Sequence, residues 1–142
     1  MAIAVELALA KYPGAQTFRF GDTDALTAEL LALVRAGRKR ATCTAEAEIA
    51  AGMAAPEVGR RDIALDPEGQ AALAIETVRL ERVTFTTMPE DLALMEGEGT
   101  CLEGWRAGHR RYYERAGIHD PDMGLIWEEF RLVEDFGAGM RA

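Results

Sequence analysis

Of the sixteen basic residues in this 142-residue chain, only Lys11 and Lys39 are lysine. Lys39 stands in the stretch "AGRKRAT", residues 36–42, with Arg35, Arg38 and Arg40 beside it. The distinction is chemical. An arginine guanidinium stays protonated under physiological conditions, whereas a lysine amine, with a reference pKa of about 10.4, loses its proton more easily when desolvated or set among other cations. Lys39 is therefore the one member of the cluster suited to give up and take back a proton. A plainer explanation of the charges stands beside this one. The cluster follows an apolar helical pattern, and cations at a helix C-terminus are favoured by the helix dipole.

The remaining chemistry-bearing residues are few. Cys43 and Cys101 lie far apart with no CxxC pair, and His109 and His119 are the only histidines. This pattern suggests neither a disulfide framework nor a zinc site, and no metal or cofactor is expected. The net charge of −8 and pI near 4.8 repel polyanions. Only a local basic patch could hold nucleic acid, and a DNA partner is not expected. Hydrophobic residues at 49% and charged residues at 28% are the balance of a globular protein. A chain of this length buries roughly two thirds of its unfolded surface, so residues 1–142 are expected to form one domain. The apolar start "MAIAVELALAKYPG" is interrupted by Glu6, has no basic stretch before it and is shorter than a membrane span. It reads as a short helix ended by Pro13 and Gly14, in a cytoplasmic protein without a membrane partner. Nothing in the sequence sets an oligomeric state.

The elements that must position Lys39 follow from periodicity. Leu26, Leu30, Leu33 and Val34 recur on one helical face, with Asp22 or Asp24 as the expected N-cap and Gly37 where a left-handed C-terminal cap falls. "DIALDPEGQAALAIETVRLERVTF" places a turn signal, Asp66 to Gly69, between two β-rich runs and predicts a hairpin. In its second run Leu73, Ile75 and Thr77 share one alternation and Val78 and Leu80 the other, so the inward frame slips near Thr77, as at a β-bulge that curls a sheet. A helix is expected from Pro89 to Glu96, capped by Thr87 and stopped by Gly97 and Gly99, and a second from about Thr100 to Ala116 with Leu102, Trp105, His109 and Tyr112 on one side. "LIWEEFRLVEDF" alternates as a strand with one wet face. These elements describe a small curled sheet carrying helices.

Four stretches, "FRFGDTDALTAELLALVRAGRKRAT", "ALAIETVRLERVTFTTM", "MEGEGTCLEGWRAGHRRYYER" and "WEEFRLVED", span residues 18 to 135. On these, above all the lysine after a helix joined to "EGEG" and a following Trp, Arg and His, the chain resembles ASCH domain proteins. The resemblance implies an α+β fold, a small curled mixed β-barrel of the PUA-like kind decorated by helices and associated with RNA. It offers more than one activity. Some members are similar to amidohydrolases that remove the acetyl group of N4-acetylcytidine with a lysine, a threonine three residues later and a distant glutamate. By motif these are Lys39, Thr42 and Glu98, with Glu98 rather than Glu96 a choice of register within "EGEG". Other members are metal-assisted ribonucleases or RNA-binding domains. The implied partner is therefore a modified nucleoside or RNA. The chain departs from the family pattern at Thr44, where arginine or serine is common, and at Thr100, where an aspartate is common. The second departure weakens a metal site and counts against the ribonuclease reading more than against the amidohydrolase one.

The residue types suit the implied chemistry. Amide hydrolysis needs a nucleophile, a base for its proton and donors for the oxyanion. A threonine hydroxyl is inert without a base, and a lysine can be that base where an arginine cannot. Residues three apart on a strand face opposite sides, so Lys39 and Thr42 converge only if the segment begins as a turn, for which Gly37 is suited. Glu98 could orient Lys39 or bind the substrate amine, the alternative being an exposed loop at a helix end. Arg38, Arg40, Trp105, Arg106 and His109 are candidates for substrate binding. Trp105, Tyr112 and Tyr113 equally fit core packing on the helix stripe, and Arg106, Arg110, Arg111 and Arg115 equally fit a solvated face. Cys43, next to Thr42, is a second nucleophile by type, though an extended segment would point it to the other side.

Overall fold

The computed structural model describes residues 2–137. In chain order these form α1 (Val5–Lys11), β1 (Thr17–Phe18), α2 (Asp24–Arg35), β2 (Ala41–Ala45), α3 (Glu46–Ala50), β3 (Arg61–Leu65), β4 (Ala71–Thr84), α4 (Glu90–Leu94), α5 (Leu102–Arg115) and β5 (Gly124–Asp135). The strands make one sheet in the order β1-β3-β4-β5-β2, with β1 parallel to β3 and the other pairs antiparallel.

The expected hairpin is present as β3 and β4, closed by Asp66, whose Oδ1 accepts from the Glu68 and Gln70 amides. The expected slip is present as well: the β4–β5 register shifts between Thr77 and Arg79, and again between Ala74 and Ile75. These irregularities bend the long central pair, and the fold is mixed α+β as expected. The sheet is not closed into a barrel, however. β1 is only two residues long, and among the described residues it does not pair with β2 at the opposite edge. A cavity lies between them instead, lined from one edge by Thr17 and Phe18 and from the other by Thr42 and Thr44.

Helices cover both faces. Leu30, Leu31 and Val34 of α2 pack on Phe20, Leu73, Ile75 and Phe130, while Trp105 and Tyr113 of α5 pack on Phe85, Leu125 and Trp127. Truncating one of these aromatic residues to alanine costs about 3–5 kcal/mol. This two-sided cover corrects the expectation of one wet face on β5. Leu125 and Trp127 enter one core and Phe130 the other, and Glu128 between them is also buried, because β5 is an inner strand.

Local capping differs from the sequence expectation in two places. Thr23, not Asp22 or Asp24, caps α2 by accepting from the Leu26 amide at 3.2 Å. Asp22 is taken by Arg115, two contacts of 2.8 Å that fasten the start of α2 to the end of α5. At α4 the N-cap is Pro89, and Thr87 bonds Thr84 instead. Among the described residues no helix is long and apolar enough to cross a membrane.

Candidate active site

Lys39 sits in a turn, not on a strand. Gly37 takes φ +76 after α2, the amides of Arg38 and Lys39 both donate to the Leu33 carbonyl, and β2 begins only at Ala41. The turn folds the Lys39 side chain inward, where it is 2% exposed. Its ammonium donates to the Ala41 carbonyl at 2.9 Å, to the Glu96 carbonyl at 3.3 Å and to Glu98 Oε2 at 2.8 Å, and lies 3.8 Å from Glu96 Oε1. A buried charge is tolerated only when paired and hydrogen-bonded, and every proton of this one has an acceptor.

The "EGEG" loop reaches Lys39 because Gly97 has no side chain. Gly97 has φ +73, and a Cβ there would run into the Arg38 carbonyl. The Arg40 amide donates to the Met95 carbonyl at 2.9 Å, so the two loops are joined backbone to backbone. Both register candidates consequently touch Lys39. Glu98 does so with a carboxylate at the cavity wall, its side chain 27% exposed, while Glu96 is fully buried behind it.

Glu96 is the centre of a second set of bonds. It accepts from the Trp105 indole at 2.8 Å, from the Cys43 thiol at 3.3 Å and from His109 Nε2 at 3.1 Å. His109 Nδ1 lies 2.9 Å from the Trp105 carbonyl, which can only accept. With Glu96 as a carboxylate, both ring nitrogens donate at once only in the imidazolium form. Burial opposes that charge, but the charge and hydrogen bond of Glu96 outweigh it and raise the His109 pKa. Burial likewise works against the Glu96 carboxylate, and His109, Lys39 and Trp105 together hold its pKa below the usual range. Lys39, His109, Glu96 and Glu98 form a neutral quartet. Cys43, by contrast, is pushed up by burial and by Glu96, which makes it a poor nucleophile.

Thr42 and Lys39 line one cavity of about 520 Å³, together with Glu98, His109 and Trp105. That volume falls within the range of small-molecule sites. Thr42 Oγ1 makes no hydrogen bond to another described residue, which leaves it free for what enters. Trp105 is only 4% exposed and stacks on His109 with ring centroids 4.2 Å apart, so its indole serves the core and Glu96. Arg38 and Arg40 are exposed and do not line the cavity, and Arg106 donates to the Thr86 carbonyl elsewhere. Sequence reasoning missed Glu128, a buried acid on the cavity wall. Its signal was an acid on the Ile126, Glu128, Phe130 side of a strand that is otherwise apolar there.

Ligand atoms of Glu96, Glu98 and His109 lie within 4.8 Å of one another, the spacing of a metal site. The donors do not suit a resident dication. Lys39 already pairs with Glu98 at 2.8 Å, and His109 Nε2 is already engaged with Glu96 Oε1 at 3.1 Å.

Comparison with known proteins agrees with this architecture. No curated protein matches the chain. Among solved structures it is similar to the ASCH domain from Lactobacillus crispatus JV V101, with 27% identity, a TM-score of 0.76, and 92% of this chain and 86% of that chain covered. It is also similar to a protein from Enterococcus faecalis V583, with 26% identity, a TM-score of 0.81, and 96% and 90% covered. The profile of the ASCH domain matches residues 16–134, a span that holds all of the sheet except Asp135 and every residue of the cavity named above. The chain belongs to the ASCH domain family.

Proposed function

We propose that the protein hydrolyses an N-acylated pyrimidine nucleoside, in the manner of an N4-acetylcytidine amidohydrolase, with Thr42 as nucleophile and Lys39 and Glu98 as its proton carriers. The observation that carries this reading is a fully buried lysine held 2.8 Å from a carboxylate in a cavity that an unpartnered threonine also lines. Nothing in core packing requires that arrangement.

When substrate displaces water from the cavity, Lys39 passes a proton to Glu98 and becomes an amine. The amine takes the Thr42 hydroxyl proton as Oγ1 bonds to the acyl carbon. Collapse breaks the carbon–nitrogen bond, and Lys39 delivers that proton to the leaving nucleoside amine. Water then attacks the Thr42 ester, Lys39 relays its proton to Oγ1, the carboxylic acid departs and Glu98 returns the first proton to Lys39. General acid–base assistance of this kind contributes on the order of 10²–10⁴-fold. Glu96 holds Lys39, and His109 and Trp105 in turn hold Glu96.

The test is incubation with N4-acetylcytidine, following cytidine and acetate by chromatography, with and without a chelator. Release that is indifferent to chelator and lost in Thr42→Val, a variant of the same shape, supports the reading. RNA cleavage abolished by chelator would move it to the metal-assisted ribonucleases. Tight RNA binding that weakens steeply with salt, without turnover, would make the chain a binding module.

A further inference from the structure

One wall of the cavity has no part in the proton path. Glu128 on β5 is the direct cross-strand partner of Thr42 on β2. Paired residues of antiparallel strands project to the same face with Cβ atoms roughly 5 Å apart, and both of these side chains line the cavity. Glu128 is 8% exposed. Thr77 Oγ1 donates to its Oε2 at 2.6 Å, and no other described residue bonds to it. Oε1 is left for whatever fills the cavity.

The charged groups facing Glu128 are Asp62 and Arg60 from the side of β3, and Lys39 from the turn before β2. Neither cation is available as a partner. Arg60 is held by Asp62 at 2.8 Å and Glu57 at 2.7 Å, and Lys39 by Glu98. A buried carboxyl without a counter-ion either takes up a proton or waits for a donor. Burial raises the Glu128 pKa despite the Thr77 hydrogen bond. Because Thr77 donates to Oε2, the proton of the acid form resides on Oε1, the oxygen without a partner among the described residues.

We propose that Glu128 determines specificity at this site: Oε1 donates a hydrogen bond to an unprotonated ring nitrogen adjacent to the acylated amine. The reading rests on the hydrolase function above and names the substrate feature it takes, an acylated amidine edge such as that of an N-acylated cytosine. The ring nitrogen and the acyl carbon of such a base are a few bonds apart, a span that suits two residues facing each other across adjacent strands. Acylated amines lacking that nitrogen leave Glu128 unpaired and are refused.

The test is steady-state kinetics of the wild type, Glu128→Gln and Glu128→Leu with N4-acetylcytidine and its 3-deaza analogue, each variant first checked for a cooperative unfolding transition. An unpaired buried donor costs about 10–100-fold, so the wild type should show a KM for the analogue higher by that factor. Glu128→Gln keeps a donor at the same place and should stay within about threefold of wild type, by the same scale. Glu128→Leu should raise KM for N4-acetylcytidine, lower it for the analogue, whose penalty comes from the unpaired donor, and so lose the discrimination. Equal kinetics of all three proteins on both compounds would overturn the proposal, as would loss of kcat in Glu128→Gln with KM unchanged, which would place Glu128 in the bond-making step. If the wild type turns over neither compound, the hydrolase reading fails by itself. Calorimetric titration with cytidine and 3-deazacytidine then decides: preference for cytidine that Glu128→Leu abolishes sustains the contact, and no preference overturns it.

Discussion

Replacing Gly97 by alanine tests whether the joint between the two loops builds the site. Gly97 sits at φ +73, where an L side chain costs about 1–2 kcal/mol. Its Cβ would meet the backbone of Arg38, with the Arg38 carbonyl carbon at 2.6 Å and the Lys39 amide nitrogen at 2.8 Å. These atoms cannot rotate away as a flexible side chain would, and forcing such a packed contact apart costs about 1–3 kcal/mol more. The sum, about 3 kcal/mol, corresponds to a fall of about 10 °C in Tm for a chain of this size. Gly99, with nothing within 4 Å, is the internal control, and Gly99→Ala should change stability by less than about 0.5 kcal/mol. Urea unfolding of the three proteins measures both. Because the displaced loop carries Glu98 away from Lys39, Gly97→Ala should also lose turnover at temperatures where it is still folded. A Gly97→Ala protein as stable as wild type would refute the close approach on which the geometry of Lys39 depends.

Other expectations follow from the bonds around Glu96. Trp105→Phe keeps the packing but removes one donor from a buried carboxylate, and should cost about 1.5–3 kcal/mol by urea unfolding. The Glu96–His109 pair should stabilise the fold within a pH window. The raised His109 pKa contributes fully below its unfolded value of 6.5 and is lost as pH climbs through the folded value. The lowered Glu96 pKa contributes fully above 4.5 and is lost as pH falls through the folded value. The stability difference between wild type and His109→Gln, measured from pH 3 to 9, should therefore be largest between about 4.5 and 6.5. A flat difference would contradict the ion pair. In thiol titration Cys101, which is exposed, should react in the native protein, and Cys43 only on unfolding. Native-state modification of Cys43 at the rate of Cys101 would show that Glu96 does not hold it.

The sequence carried the local signals and missed what depends on distant neighbours. The slip at Thr77, the turn at Asp66 and the αL residue Gly37 are legible because each is set by residues adjacent in sequence. The cap of α2 was misplaced because Asp22 has a better partner in Arg115, far along the chain, which leaves capping to Thr23. Barrel closure was overestimated for a related reason. Bulges show that a sheet curls, but not that its edge strand stops at Phe18. Within the site, Lys39, Thr42 and Glu98 were legible through residue type and family motif. The quartet was not, since Glu96 lies on a loop and His109 on a helix with nothing in their spacing to join them. Glu128 escaped because the acids of "WEEF" look alike until the register pairs one of them with Thr42.

Whether Lys39 must be able to lose a proton is decided by the rate of cytidine release from N4-acetylcytidine by Lys39→Arg, compared with wild type at a temperature where both are folded by near-ultraviolet circular dichroism. Arginine keeps the positive charge beside Glu98 but cannot act as a base. A loss on the order of 10²-fold or more is expected; turnover within a few-fold of wild type would contradict the role of Lys39 as a base.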